Sequence, residues 1–356
     1  MLQLLGKSRR FYGKAIMAIA FGVSFVAAAQ TSANALGVPS GVSANGPVDD
    51  SVLHRFRGSA IAYSHQATAF TFSPSAQPWY NPTWTHRISL LPEYHFNERV
   101  FVRARLFISQ EFTQSDTLNN ANEVELSDLW FDVGTPGWVE PNSKIRVSGD
   151  LRVNLPLSKI AQLQTRVLTL APSLALSRVF AVKSGLVVAY AGRFGYRFNR
   201  FTSPQNQGPG IAACGDPRAL ECAEYISTGT RNTNFDLIHG PTVSFSPTDA
   251  LNVSASYLMA SFWLHPLSRT PDSLNGLDTL STANDVGMRT AALFSLSASW
   301  QINKQVSLTA GSWTFSSQLG ADGRYLFPLF NRDTTLFIEA GVDIEQTIAA
   351  LLPKKS

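Results

Sequence analysis

Apolar and polar residues alternate with a period of two along much of the chain. The clearest alternation runs through residues 100–109, 145–154, 186–199 and 336–345. Because successive side chains of a β-strand point to opposite faces, this period predicts strands with one apolar and one polar face. The runs are longer than the roughly five or six residues of an average strand. They match the about nine to eleven residues of a tilted membrane strand.

The connections between these strands are alternately short and long. The link at 134–144 is longer and holds two prolines, but its position groups it with the short set. Membrane-spanning barrels have short periplasmic turns and longer extracellular loops, and an even strand number returns both termini to the periplasm. The sequence therefore predicts an all-β fold, a transmembrane antiparallel β-barrel of twelve strands. The predicted strands are 59–72, 84–96, 100–112, 125–133, 145–154, 162–180, 186–199, 238–245, 251–264, 287–301, 306–316 and 335–345.

The weakest of these elements is the first. Residues 59–72 are rich in alanine and show no clean alternation, so a periplasmic helix or a segment inside the barrel is the alternative. We keep the segment as a strand because losing it would leave an odd strand number, which is uncommon in bacterial barrels.

The N-terminal segment predicts export. Basic residues precede an apolar stretch at 15–26, and small residues follow at 27–29. This layout is typical of a signal peptide (1–29), cleaved after Ala29 or alternatively after Ala35, and the stretch is short for a retained membrane anchor. Residues 30–56 are small, polar and punctuated by Gly and Pro, which predicts a flexible periplasmic lead-in. The barrel is then expected at 57–346 and a short periplasmic tail at 347–356.

Composition favours a membrane barrel over a secreted β-sandwich or lectin, the competing interpretation. Charged residues make up 15% of the chain, against about 25% in ordinary soluble domains. No later stretch approaches the about 20 consecutive apolar residues of a membrane helix. The first 29 residues contain four basic and no acidic residues, so 25 basic and 25 acidic residues remain. This balance argues against nucleic-acid binding.

If the apolar rows face lipid, the opposite rows line the interior. An arginine on the lipid side would cost about 2–4 kcal/mol at the midplane, so the sorting of charges supports this assignment. Opposite charges on neighbouring strands could pair and brace a filled interior. Alternatively, an arginine-rich wall opposes an acidic patch around a water-filled path and selects polar solutes. The residues predicted to line the lumen and set its selectivity are Arg87, Arg103, Arg105, Asp128, Asp132, Arg146, Asp150, Arg152, Arg193, Arg197, Arg289, Glu339 and Asp343.

Two further features concern covalent chemistry. Cys214 and Cys222 lie in the longest predicted loop, and in an oxidising periplasm such a pair predicts a disulfide. A metal site is disfavoured because the loop contains no histidine. The chain has six histidines but no nucleophile elbow, phosphate-binding loop or zinc-protease motif, so we expect no enzyme activity, metal or cofactor.

The signal peptide, the hairpin rhythm over 59–345, and the stretches Ser89–Tyr94 and Leu155–Lys159 resemble Gram-negative outer-membrane barrels, including small porin-like channels. The resemblance is generic. It implies an outer-membrane location, contact with outer-membrane lipid and insertion by the barrel-insertion machinery, and it transfers no functional residues. The chain departs from such proteins at its end, where it continues past Ile344 instead of stopping at an aromatic residue. Either the insertion signal is internal or the last predicted strand is misplaced.

The function expected from the sequence is a passive channel for small hydrophilic solutes. A closed barrel that acts through its extracellular loops, as a structural or recognition element, is the alternative. A lipid-modifying enzyme at the outer leaflet is the third.

Overall fold

The computed structural model describes residues 52–71, 82–113, 122–207, 225–227, 231–266, 287–317 and 326–351. The predicted signal peptide and both cysteines lie outside these residues. The predicted disulfide therefore stays a prediction.

The described chain is mostly β-structure with three short helices. A 3₁₀ helix spans Val52–Phe56, α1 spans Lys159–Leu163 and α2 spans Ile344–Leu351. The strands are β1 Ala60–Thr68, β2 Trp84–Leu91, β3 Glu93–His95, β4 Phe101–Glu111, β5 Val124–Leu126, β6 Leu129–Val139, β7 Ile145–Leu155, β8 Arg166–Phe180, β9 Leu186–Asn199, β10 Gln205–Gln207, β11 Tyr225–Ser227, β12 Thr233–Thr248, β13 Leu251–Leu264, β14 Met288–Gln301, β15 Val306–Ser317 and β16 Thr334–Asp343.

The sheet closes on itself. β1 pairs with β2 on one side and with β16 on the other, and all pairings are antiparallel. The ring runs β1-β2-β4-β6-β7-β8-β9-β12-β13-β14-β15-β16 and back to β1. The twelve-strand antiparallel barrel predicted from the sequence is confirmed, including the uncertain first strand. β10 and β11 form a separate two-stranded ladder.

Two of the twelve positions are strands broken by one or two residues. Pro92, which has no N–H to donate, separates β2 from β3. Its carbonyl still accepts from the Ala104 amide at 2.9 Å, so the neighbouring strand stays attached. Residues 127–128 separate β5 from β6, and there the Ser127 hydroxyl accepts from the Phe107 amide at 2.9 Å. β3 and β5 therefore continue the β2 and β6 positions.

One predicted turn is part of a strand. Residues 134–139 belong to β6, and the connection that the sequence predicted to begin at Gly134 begins only after Val139. The register shifts between Thr135 and Trp138, so the strand carries a bulge that absorbs Pro136 and Gly137. Gly137 has φ +102°, a left-handed conformation that suits glycine.

Two strand starts also differ from the sequence prediction. β12 begins at Thr233, five residues before the predicted start, because Phe235 and Asp236 pair with Tyr196 and Gly195 of β9. β8 begins at Arg166, after the predicted start, because residues 159–163 form α1. The Ser158 side chain caps α1 by accepting from the Ala161 amide.

The barrel exposes apolar side chains on its outer face and buries polar ones inside, which is the reverse of a soluble protein. Side chains such as Leu174, Tyr190 and Ile338 are about half exposed on the outer face. Asp132 and Thr334, which belong to the opposite rows, are fully buried. Because the wall is a single sheet, the buried rows face the interior and the exposed apolar rows face outward.

No helix in the described part of the chain is long and apolar enough to span a membrane.

Candidate functional site

The predicted charged residues fall into three groups in the structure. Arg103, Arg105, Asp128, Asp132, Arg152, Arg193 and Arg197 are less than one tenth exposed. Arg87, Arg146, Asp150, Glu339 and Asp343 are partly buried, and Arg289 is exposed at the start of β14. The strands therefore bring most of the predicted set to the interior, and Arg289 lies at one end.

Asp132 of β6 is the centre of the buried charges. The guanidinium of Arg152 donates to its carboxylate twice, from Nε at 2.6 Å and from Nη2 at 3.1 Å. Arg103 Nε lies 3.4 Å from the other side of the same carboxylate. Arg103 and Arg152 are the direct cross-strand partners of Asp132, so the ladder register itself places the three charges together. A fully buried carboxylate is tolerated here because arginines flank it on both sides.

Aromatic rings support the same arginines. The Arg152 guanidinium lies 4.5 Å from the centroid of the Trp130 ring, and that of Arg103 lies 4.8 Å from the Phe101 ring. Both rings belong to buried residues. These cation–π contacts fix the planes of the two guanidinium groups inside the barrel.

Two further ion pairs lie towards the long-loop end. Arg166 Nη1 donates to Asp128 at 3.0 Å, and Asp128 also accepts from the Ser158 amide at 3.0 Å. Arg197 bonds Asp236 through Nε at 3.0 Å and Nη2 at 2.8 Å. Sequence reasoning missed Arg166 and Asp236 as site residues. Asp236 fell in a predicted loop, although its alternation with Phe235 and Leu237 was the signal that β12 begins earlier.

Two buried arginines have no acidic partner in the part of the chain that the structure describes. Among the residues that the structure describes, no carboxylate lies within ion-pair distance of Arg105 or Arg193. The Nε of Arg105 lacks any hydrogen-bond partner there. Arg103 also has donors to spare, because its Nε is close to Asp132 without hydrogen-bond geometry and its Nη2 has no hydrogen-bond partner in the described chain.

The interior wall opposite these charges is built from small hydroxyl residues. Ser256 pairs with Ser295 at 2.7 Å, Ser254 with Ser297 at 2.9 Å, and Ser299 with Thr309 at 2.9 Å. These ladders join β14 to β13 and β15. In the ring of twelve, β14 lies six positions from β6 in either direction. The interior is therefore asymmetric, because the buried ion pairs lie between β4 and β12 and the serine ladders lie around β14.

An apolar cluster adjoins both walls. It consists of Ala175, Ala191, Ile238, Leu258, Ala260 and Leu293, with Phe262 and Phe315 packed against it.

Asp343 is not a free lumen charge. Its carboxylate accepts from the Gln346 amide at 2.9 Å, which makes it the N-cap of α2. The Thr347 hydroxyl also donates to the Asp343 carbonyl. The alternation of β16 placed Asp343 on the correct face but gave no sign that the strand turns directly into a helix.

The two ends of the described chain meet at the short-turn end of the barrel. His54 of the 3₁₀ helix lies 3.3 Å from Glu345 of α2, and Arg57 lies 2.8 Å from the other ring nitrogen of His54. The Ile344 amide donates to the Ser59 carbonyl at 3.0 Å. The last residues of the predicted lead-in and the first residues of the predicted tail are thus both helical, and the two helices are joined through His54 and Glu345.

The exposed outer face carries two small polar clusters. Tyr63 Oη lies 2.8 Å from His65 Nε2 and 3.4 Å from His86 Nδ1, and His86 Nε2 lies 2.9 Å from the Gln110 amide oxygen. The second cluster joins Tyr190 and His239 at 2.6 Å. The imidazoles of these clusters are bonded to phenol and amide groups. Over the described residues, no group of three or more His, Cys, Asp or Glu side chains is placed to hold a metal ion.

An apolar exterior around a polar interior, with a ladder that has no free edge, meets the requirement of a bilayer that every backbone group be bonded. The chain is a transmembrane β-barrel of the outer-membrane type. No protein-family model matches the chain, and no curated protein matches it.

Solved structures with a similar fold are outer-membrane barrels. An outer membrane channel from Pseudomonas putida F1 is 9% identical, with a TM-score of 0.46, over 80% of this chain and 93% of that one. The KdgM porin in complex with oligogalacturonate is 8% identical, with a TM-score of 0.39, over 80% and 99%. The NanC porin is 9% identical, with a TM-score of 0.39, over 80% and 98%. The fold assignment itself rests on the strand pairing described above.

Proposed function

We propose that the protein is a passive channel for small hydrophilic solutes and that its buried charges set the selectivity of the path. The observation that carries this proposal is a pair of buried arginines, Arg105 and Arg193, inside a closed twelve-strand wall. Neither arginine has an acidic partner among the described residues. A buried guanidinium costs free energy when its N–H groups donate no hydrogen bonds. These groups therefore need water or a solute beside them.

The competing function is that of a closed barrel braced by its own ion pairs. The contacts of Asp132 with Arg152 and Arg103 favour it, as do the pairs Arg166–Asp128 and Arg197–Asp236. Bracing accounts for these residues, but over the described residues it gives no acidic partner to Arg105 or Arg193. A ring of twelve strands is also wider than the eight-strand kind that side chains fill. These two points favour a hydrated path.

The asymmetry of the interior suggests how selectivity arises. Guanidinium and carboxylate groups on β4, β6 and β7 oppose serine hydroxyls on β14. Such an arrangement gives a field across the path rather than along it, which favours polar solutes over apolar ones. We propose the same role for Arg87 and Glu339, whose charges act on each other next to this region.

Ion selectivity in planar bilayers tests this role. We expect the refolded wild-type protein to give steady conductance steps with an ion preference that shifts when Arg103 and Arg105 are both replaced by Ala. Replacement of Arg99, which is exposed in a periplasmic turn, by Ala is the matched control and should leave the preference unchanged. An unchanged preference in the double variant would remove these residues from the path.

A further inference from the structure

Arg105 is a charged side chain inside the barrel that has no ion-pair partner among the residues described by the structure. It is 7% exposed, and its Nε has no hydrogen-bond partner among the described residues. The positive charges of Arg103 and Arg152 act on it along with the negative charge of Asp132. A guanidinium has five N–H donors in a fixed fork, so Arg105 presents donors that the protein leaves unused.

Arg103 presents unused donors beside it. Arg103 and Arg105 are two residues apart on β4, so both side chains point to the interior. Arg103 is also 7% exposed, and neither its Nε nor its Nη2 has a hydrogen-bond partner in the described chain. The Phe101 ring holds its guanidinium from one side. Two guanidinium groups, each more than nine-tenths buried, thus lie in one region. Both have N–H donors that form no hydrogen bond with the described residues.

Two of the carboxylates near them are already hydrogen-bonded to other side chains. Arg152 donates to both oxygens of Asp132, and Glu93 is bonded to His95 at 2.8 Å. Asp150 lies 4.0 Å from Arg103 Nη2. Arg193, which also lacks an acidic partner among described residues, adds positive charge that acts on Arg152. In the described chain, the three guanidinium groups of Arg103, Arg105 and Arg152 therefore have only two carboxylates within ion-pair distance, Asp132 and Asp150.

We propose that Arg103 and Arg105 form a binding site for the oxyanion of small carboxylate- or phosphate-bearing solutes. The inference rests on the proposed channel function, in which the site lies on the solute path. An oxyanion supplies at least two acceptor oxygens to a pair of forked donors, and such charge-assisted bonds are about twice as strong as neutral ones. A spherical chloride ion balances the charge but cannot accept two parallel hydrogen bonds from a guanidinium as an oxyanion does. A cation is repelled by the positive charges of Arg103, Arg105 and Arg152.

Thermal unfolding of the refolded protein in detergent detects oxyanion binding at this site, whether or not the protein conducts ions. The probes are malonate and inorganic phosphate, each compared with chloride at equal ionic strength. A ligand that binds only the folded state raises the unfolding midpoint. We expect at least one oxyanion to raise it above the chloride value in the wild-type protein and in Arg99→Gln, and not in Arg105→Gln. Far-UV circular dichroism of each variant verifies that the barrel has formed.

Block of the channel by the same oxyanion is the second measurement. We expect the half-blocking concentration to rise by about tenfold in Arg105→Gln, since one charge-assisted hydrogen bond is lost. Arg105→Lys keeps the charge but loses the fork, so its affinity should lie between the two.

The outcomes separate the two proposals. Equal oxyanion responses in the wild-type protein, Arg105→Gln and Arg99→Gln would overturn the binding site, whether or not the protein conducts. A folded protein that shows the Arg105-dependent shift but no conductance would overturn the channel function and keep the site as a binding site.

Discussion

At the scale of single residues, Asp132 organises the charged side of the interior. It is fully buried and lies between Arg103 and Arg152, which are its cross-strand partners. The net contribution of such a group to stability is small or unfavourable compared with apolar packing, but removing one partner leaves the other charge uncompensated. Asp132 therefore matters because two arginines depend on it.

Replacing Asp132 by Asn tests this dependence. The amide keeps the shape but removes the charge that Arg103 and Arg152 share, so we expect the free energy of unfolding to fall by about 3–5 kcal/mol. Urea titration of the protein in lipid vesicles measures it. Asp249→Asn, in an exposed turn, is the control and should change it by less than about 0.5 kcal/mol. Equal losses in the two variants would contradict the account.

Asp343 was predicted to line the lumen, and its side chain caps α2 through the Gln346 amide. We expect Asp343→Ala to destabilise α2 by about 0.5–2 kcal/mol, seen as faster proteolysis after β16. Asp343→Asn keeps the cap and should resist proteolysis like the wild type. A shift in ion selectivity with an intact α2 would restore the lumen role.

At the scale of elements, the sequence predicted most strands because one periodicity governs both faces of a barrel wall. Every second residue is buried from Phe101 to Phe107 in β4 and from Ala189 to Arg197 in β9, as the alternation requires. The errors occur where a local signal competes with that period. Pro136 and Gly137 are typical of a turn, yet the partner strand β7 holds them in a bulge. The pairings inside the lumen depend on register across several strands, which the period alone does not determine.

The bulge in β6 gives an element-scale prediction. A Cβ at Gly137 would lie 2.7 Å from the Val147 carbonyl oxygen, and its φ of +102° strains any other residue. We expect Gly137→Ala to lower the free energy of unfolding by at least about 1 kcal/mol. Gly287, where a Cβ would meet nothing within 4 Å, provides the control Gly287→Ala. Unfolding of the two variants in urea compares them, and a tolerated Gly137→Ala would show that the bulge is not held as described.

At the scale of the whole molecule, closure by β1 and β16 is what turns a polar row into an interior. Each residue of β1 from Ala60 to Thr68 pairs with one of β16, so the sheet has no free edge at this seam. The inward-facing side chains of all twelve strands then line one enclosed volume. A charged side, a hydroxyl side and two arginines without acidic partners among the described residues are the result.

Single-channel recording tests most simply whether the barrel encloses a hydrated path. The refolded wild-type protein is recorded in a planar bilayer, and its folded state is verified in the same sample. A hydrated path predicts steady, uniform conductance steps that persist without any added ligand. A correctly folded barrel that inserts and gives no steps would contradict the account and leave the braced, closed barrel in its place.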